Sequence, residues 1–215
     1  MTELIVVRHG ETDWNRQHRF QGQIDVPLNA VGRSQAARLA QRLAEESFDA
    51  VVASDLQRAR TTADLAAAGH AIASEPLWRE QAFGVLEGLD APTIIERHPQ
   101  LWAHWLRHDA DYALPGGGES VRAFHQRVLH AVRQLALQYR GARVVVFTHG
   151  GALDMLWRAA RNAPLSGPRT CDIPNTGINR LRWRDDDTLE IVQWADAAHL
   201  EGLPEQPDTT PLGVR

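Results

Sequence analysis

Lysine is absent from all 215 residues, so every one of the 23 basic side chains is an arginine. That absence excludes a Schiff-base lysine and a P-loop, whose lysine reaches the nucleotide phosphates. Cysteine is nearly missing too. Cys171 stands alone, which rules out an internal disulfide framework and favours a reducing compartment. No apolar run approaches the roughly 18–20 residues of a membrane span. The opening Met-Thr-Glu-Leu-Ile-Val-Val-Arg is too short, and lacks the basic leader, for a signal peptide. The cytoplasm is the expected location. Large charge excess is also lacking: the net charge of −4 gives no general attraction for nucleic acid or a membrane surface.

What is present reads as alternating strands and helices. Residues 4–7, 50–53 and 144–147 are short apolar, largely β-branched runs of the kind buried on both faces of a sheet. Residues 72–74 form a shorter candidate strand. Asn29 is placed to cap a helix carrying Ala36, Leu39, Ala40 and Leu43 on one face. Ser54 or Asp55 is expected to cap another that runs to Ala68 and stops at Gly69. Val121, Phe124, Val128, Val132, Leu135 and Tyr139 recur at the spacing of a long amphipathic helix. A helix over 151–160 is closed by Pro164, and 178–184 with 189–194 read as a hairpin joined by Asp185-Asp186-Asp187. The pattern predicts an α/β fold, a three-layer α/β/α sandwich with a mostly parallel sheet. A single domain is expected over 1–200, with an irregular tail at 201–215. Pro92, Pro99 and Pro115 break residues 91–118 into short helical pieces, an insertion expected to lie over a site as a lid.

Two of the strands run into the same dipeptide: Arg8-His9-Gly10 after the first, Thr148-His149-Gly150 after 144–147. Ligands of open α/β sheets bind beyond the carboxyl ends of the strands, so two imidazoles are expected in one crevice. A single His-Gly most often marks a hydrogen-bonded structural histidine. Its repetition at equivalent places weighs toward a site. Arg58 lies near the start of its helix, where the dipole and free N–H groups favour an anion. Arg60 points away and reads as a solvated charge. Arg79-Glu80-Gln81-Ala82-Phe83-Gly84 supplies a carboxylate in an apolar setting beside the insertion.

These elements together resemble the histidine phosphatase superfamily, also called the phosphoglycerate mutase-like family. The resemblance rests on Arg8-His9-Gly10 with Thr12 and Asn15 at their offsets, Arg58, Glu80, Gly117-Gly118-Glu119-Ser120 and His149-Gly150. It covers most of the chain. It implies that His9 attacks phosphorus and becomes phosphohistidine. Arg8, Arg58 and His149 would bind the phosphoryl oxygens, and Asn15, Gln21, Gly22 and Gly150 would complete the pocket. Glu80 would be the proton donor to the leaving oxygen, protonated at the start by virtue of apolar neighbours and the substrate's charge; Glu87 is the weaker competitor. A neutral imidazole, with an ordinary pKa of about 6.5, is nucleophilic near pH 7. Phosphoryl transfer then needs mainly positioning and charge stabilisation. Two guanidiniums and a second histidine can supply that, so neither metal nor cofactor is expected. The expected partner is a small phosphorylated metabolite, and the sequence is compatible with a homodimer.

Other chemistries fit less well. A cysteine phosphatase needs arginine six positions after its cysteine, and Gly177 stands there. A serine hydrolase needs a nucleophile elbow after a strand, and Gly32-Arg33-Ser34-Gln35-Ala36 lies inside a helix and lacks the last glycine. His104 and His108, four apart, have no clear third metal ligand. A catalytically dead phospho-ligand sensor would not need every reactive residue type found here. Within the family the alternative is a 2,3-bisphosphoglycerate-dependent phosphoglycerate mutase. Mutases usually carry Glu-Arg-x-Tyr-Gly at the acid motif and a longer, more basic insertion. Gln81 and Phe83 occupy the arginine and tyrosine places, which favours phosphatase.

Overall fold

The computed structural model describes residues 1–207. The first half of the chain forms β1 (Thr2–Arg8), the short α1 (Asp13–Arg16), α2 (Ala30–Leu43), β2 (Ala50–Ala53), α3 (Gln57–Ala66) and β3 (Ile72–Ser74). After them come α4 (Ala91–Arg97), α5 (Pro99–Leu106), α6 (Val121–Gln138), β4 (Arg143–Thr148), α7 (Gly150–Arg161), β5 (Ile178–Trp183) and β6 (Leu189–Asp196).

Side chains alternate across a strand, and β1 uses both faces. Leu4 and Val6 enter one core with Phe124, Val128 and Val132 of α6 and Leu153 and Leu156 of α7. Ile5 and Val7 enter the other with Leu39 and Leu43 of α2 and Ala63 and Ala66 of α3. A strand apolar on both faces therefore demands a helical layer on each, and the expected three-layer sandwich results. The sheet order is β3-β2-β4-β1-β5-β6. β3, β2, β4 and β1 are parallel to one another, while β5 is antiparallel to β1 and β6 to β5. Arg8 pairs with Thr148 across β1 and β4, so the two strands that run into His-Gly end side by side.

Local expectations hold where the signal is contiguous. Asn29 caps α2 by accepting the Gly32 N–H. The structure adds a cap that was not read from the sequence: Ser120 accepts the Ala123 N–H at the start of α6. The α3 boundary differs from its expectation, because neither Ser54 nor Asp55 caps it and the helix ends at Ala66. Asp55 is held by the Arg79 guanidinium, and the Ser54 hydroxyl meets His149. The N–H of Gln57, at the start of α3, instead donates to Asp25, 2.6 Å away.

Residues 91–118 do break into the two short helices α4 and α5, each with proline in its first turn. They close a small core of Leu86, Ile94 and Leu114, with Phe20, Phe83, Trp102 and Trp105 packed against it. His104 stacks on Tyr112. His108 lies past the end of α5 with φ +50°, so the two histidines share no helix face. Among the described residues no group of three or more metal-ligating side chains occurs, and no helix is long and apolar enough to cross a membrane. After a 3₁₀ turn at Ala198–Leu200 the tail is irregular to Pro207; residues 208–215 lie outside the described residues. Within that tail, the Gln206 carboxamide bonds both the N–H and the carbonyl of Asn175.

Candidate active site

Because β1 and β4 end in register, the His9 N–H donates to the Thr148 carbonyl and the two imidazoles lie 5.2 Å apart, centroid to centroid. A cavity of about 180 Å³ opens above them. Arg8, His9, Arg58, Glu80 and Gly150 line it, together with Asn15, Gln21 and Gly22. All but one of the expected site residues thus share one wall. The exception is His149, fully buried and packed beneath His9.

The hydrogen bonds of His9 fix its chemistry. Its Nδ1 stands 2.7 Å from the carbonyl oxygen of Gly10, which can only accept, so Nδ1 carries the proton. A neutral ring protonated there has its lone pair on Nε2. Burial first, then the Arg58 and Arg8 charges, hold the His9 pKa well below the ordinary imidazole value, so the ring is neutral at pH 7. Two further contacts fix the strand end: Asn175 donates to the His9 carbonyl (2.9 Å), and the Gly10 N–H donates to Thr62 Oγ1 (2.9 Å). Gly10 admits no side chain, since a Cβ there would fall 2.6 Å from the Gly32 carbonyl oxygen.

His149 is held neutral by the same causes, burial foremost, then Arg58 and His9. Its Nε2 lies 2.9 Å from Ser54 Oγ, a hydroxyl oxygen that already accepts the Leu56 N–H. If the serine O–H is given to Nε2, the ring proton is on Nδ1. That nitrogen is buried without a partner among the described residues.

The two arginines are anchored by their tips. Arg58 donates to the carbonyls of Ile24 (2.9 Å) and Gly22 (2.7 Å), and Arg8 to that of Ile173 (2.7 Å). Both Nε atoms are buried without a partner among the described residues. Burial, and then the neighbouring Arg169, bring the Arg8 pKa down to about 9; burial brings that of Arg58 to about 10. Crowded, desolvated cations of this kind favour an anion between them. The expected help from the α3 N-terminus is reduced, because Asp25 already takes its first N–H. Arg60 pairs with Asp64 on the surface, as its position implied. Asn15 closes a capping box with Thr12, which occupies its carbonyl oxygen and leaves its amide NH₂ for the cavity. Gln21 accepts from Thr12 Oγ1.

Glu80 is not in the apolar setting expected of it. One carboxylate oxygen accepts the Gln81 N–H (2.8 Å) and the other the Gly151 N–H (2.9 Å), at the start of α7. The segment bearing it is clasped from behind by Arg127, which donates to the carbonyls of Leu77, Arg79 and Glu80. Arg127 in turn grips both oxygens of Glu119. That gives the Gly117-Gly118-Glu119-Ser120 segment a physical purpose. Glu87 points elsewhere: it accepts the N–H groups of Gln23 and Phe83 and fills the space beside Gly22. Trp14, Phe20, Phe83 and Trp105 supply an aromatic rim, and Arg169 and Pro207 complete the wall. Arg169, Asn175, Thr62 and the role of Ser54 carry no motif of their own, and of the four only Ser54 directly follows a strand.

The sequence matches the histidine phosphatase superfamily (branch 1) over residues 4–197. Phosphoglycerate mutase-like protein 4 of Arabidopsis thaliana is 37% identical over 203 residues, spanning 93% of this chain and 87% of that protein. The metal-independent phosphoserine phosphatase of the same plant is 36% identical over 207 residues, spanning 94% and 85%. Among solved structures, Bacillus stearothermophilus YhfR superposes with a TM-score of 0.84 at 31% identity, covering 94% of this chain and all of that one.

Proposed function

The chain belongs to the histidine phosphatase superfamily, and on that premise we propose that it is a metal-independent phosphomonoesterase working through phosphohistidine at His9. One observation carries the reading: a neutral imidazole with Nδ1 held by the Gly10 carbonyl, its ring on the wall of a cavity flanked by two buried guanidiniums.

Nε2 of His9 attacks phosphorus, forming the P–N bond as the ester P–O bond breaks. Arg8 and Arg58, with the amide of Asn15, hold the phosphoryl oxygens, so charge building on them meets fixed donors. The departing oxygen takes its proton from Glu80. Water then attacks the phosphohistidine, Glu80 takes the water's proton, the P–N bond breaks, and inorganic phosphate leaves with His9 restored. The insertion at 91–118 acts as the lid, bringing Trp105 to the rim. We assign the enzyme to the cytoplasm, a reading supported by its single half-buried thiol.

The test is to quench the protein in acid during turnover of a labelled substrate. Label that is acid-labile and base-stable, lost along with turnover in His9→Ala, is expected. EDTA should leave turnover intact, and Arg58→Ala should lower it by on the order of 10²–10³. Label surviving in His9→Ala would overturn the proposal.

A further inference from the structure

β2, β4 and β1 lie side by side in that order and run parallel. The residues that directly follow them are Ser54, His149 and His9. A hydroxyl and two imidazoles therefore form a row across three neighbouring strand ends. The middle member, His149, is fully buried, and its ring lies 5.2 Å from that of His9, centroid to centroid.

Ser54 is fully buried as well and is not on the cavity wall. Its N–H donates to the Phe147 carbonyl (2.9 Å), which holds it at the end of β4. Its Oγ accepts the Leu56 N–H (3.3 Å) and stands 2.9 Å from Nε2 of His149. Among the described residues the hydroxyl has no other partner. Burial, and then the Arg58 charge, keep the His149 ring neutral, so two tautomers compete. With the proton on Nε2, the Ser54 hydrogen and the Nδ1 lone pair would both be unmet in the interior. With the proton on Nδ1, the serine hydrogen goes to Nε2 and only the Nδ1–H is unmet. Each unmet buried group carries its full desolvation cost, so the second arrangement wins.

That leaves one donor open in an otherwise satisfied row, on a ring packed against the nucleophile. A buried donor without a partner calls for an explanation. What a phosphate ester brings to His9 is oxygens that accept. The other tautomer would turn a lone pair toward the same oxygens. The Leu56 N–H that Ser54 accepts lies two residues before Arg58, so the hydroxyl also ties this ring to the turn that carries a phosphoryl-binding guanidinium.

We propose that Ser54 is a positioning residue for phosphoryl transfer: by donating to Nε2 of His149 it fixes that ring as an Nδ1–H donor and keeps the donor for a phosphoryl oxygen. The inference rests on the phosphomonoesterase reading. Ser54 itself touches no reacting atom and acts only through the imidazole.

The experiment reads the ring directly, in resting protein without substrate. Long-range proton–nitrogen NMR correlations at neutral pH distinguish a protonated ring nitrogen from a bare one. The His149 signals are identified by their loss in His149→Gln. In the parent, Nδ1 is expected to be protonated and Nε2 bare. In Ser54→Ala the Nε2–H form should appear, and turnover of an aryl phosphate should fall by about 10–10²-fold, less than the loss of a transition-state donor outright. An aryl phosphate is used because its leaving group depends least on Glu80. Ser54→Thr, which keeps the hydroxyl, should hold the parent tautomer and recover most of the turnover. Hydrolysis of the aryl phosphate by the parent tests the phosphomonoesterase reading by itself, and the tautomer can be right or wrong independently of it. A parent ring protonated on Nε2 overturns the proposal whether or not any variant folds. So does a loss of turnover in Ser54→Ala with the tautomer unchanged, which would make the serine a packing residue. So does a Ser54→Thr protein that holds the parent tautomer and is as slow as Ser54→Ala.

Discussion

Oε2 of Glu80 accepts the N–H of Gly151 at 2.9 Å, and a Cβ built on that glycine would fall 2.0 Å from Oε1. The Glu80 carboxylate therefore fills the space that a side chain at residue 151 would need. Gly151→Ala is expected to displace Glu80 while leaving His9 in place. Turnover of alkyl phosphates should fall by on the order of 10²-fold, the usual scale for a general acid. Aryl phosphates, whose leaving groups need less protonation, should lose much less. An equal loss on both would show that the glycine serves packing alone.

Glu119 and Arg127 fix the same carboxylate from the opposite side, through the carbonyls of residues 77, 79 and 80. Their pair is only partly exposed, so neither charge is freely solvated when the other is removed. Glu119→Gln is expected to reproduce the alkyl-over-aryl defect more mildly, by about tenfold. It should also lower the melting temperature by several degrees. A variant with lowered stability and unchanged leaving-group dependence would separate the clasp from catalysis.

The two buried imidazoles give the fold a definite pH response. His9 and His149 stay neutral well below the ordinary value, mainly through burial. In the unfolded chain both take up protons near pH 6.5. Below that point the unfolded state binds protons that the folded state refuses, so stability is fully present above about pH 6.5 and is lost as pH falls toward the folded pKa values. The melting temperature should therefore drop between about pH 6.5 and 5, and His149→Gln should flatten the slope. A melting temperature constant across that range would contradict the neutral-imidazole assignment.

The choice between water and a second substrate as phosphoryl acceptor falls at Gln81 and Phe83. Gln81 donates its amide to the Glu119 carbonyl. Phe83 packs edge-on against both Phe20 and Trp105. Neither offers the charge or hydroxyl that mutases are expected to use. Given 3-phosphoglycerate and catalytic 2,3-bisphosphoglycerate, the enzyme should release inorganic phosphate faster than it forms 2-phosphoglycerate. Isomerisation outrunning phosphate release would reverse the assignment while leaving the fold and His9 untouched.

How much of this was legible in the sequence depended on range. His9 and His149 could be read because each follows a contiguous apolar strand, and parallel strands bring their ends to one edge. Asn29 caps its own helix, a signal contained in four residues. Ser54 and Asp55 misled because their partners, His149 and Arg79, lie far along the chain and outcompete a local cap. The polar surroundings of Glu80 were hidden for the same reason, since Gly151 and Arg127 reach it from distant helices. Arg169 has no local signal, because this cation reaches the site from the irregular segment beyond α7. The tail's contact with Asn175 depends on a single glutamine, Gln206, which no pattern distinguishes.

A chain whose cations are all arginine also meets electrophiles in an unusual way. Acylating or reductively alkylating reagents find no side-chain amine anywhere in its length. Dicarbonyl compounds, which condense with guanidines, find a cluster of them on one wall. Arg8, brought down to about 9 by burial and by Arg169, gives up a proton more readily than a solvated guanidinium does. Its reaction with such a reagent is thereby favoured in mild alkali, and an oxyanion seated between Arg8 and Arg58 shields it. The same crowding that prepares the site for phosphate also lowers the proton affinity of a guanidine that such a reagent must attack.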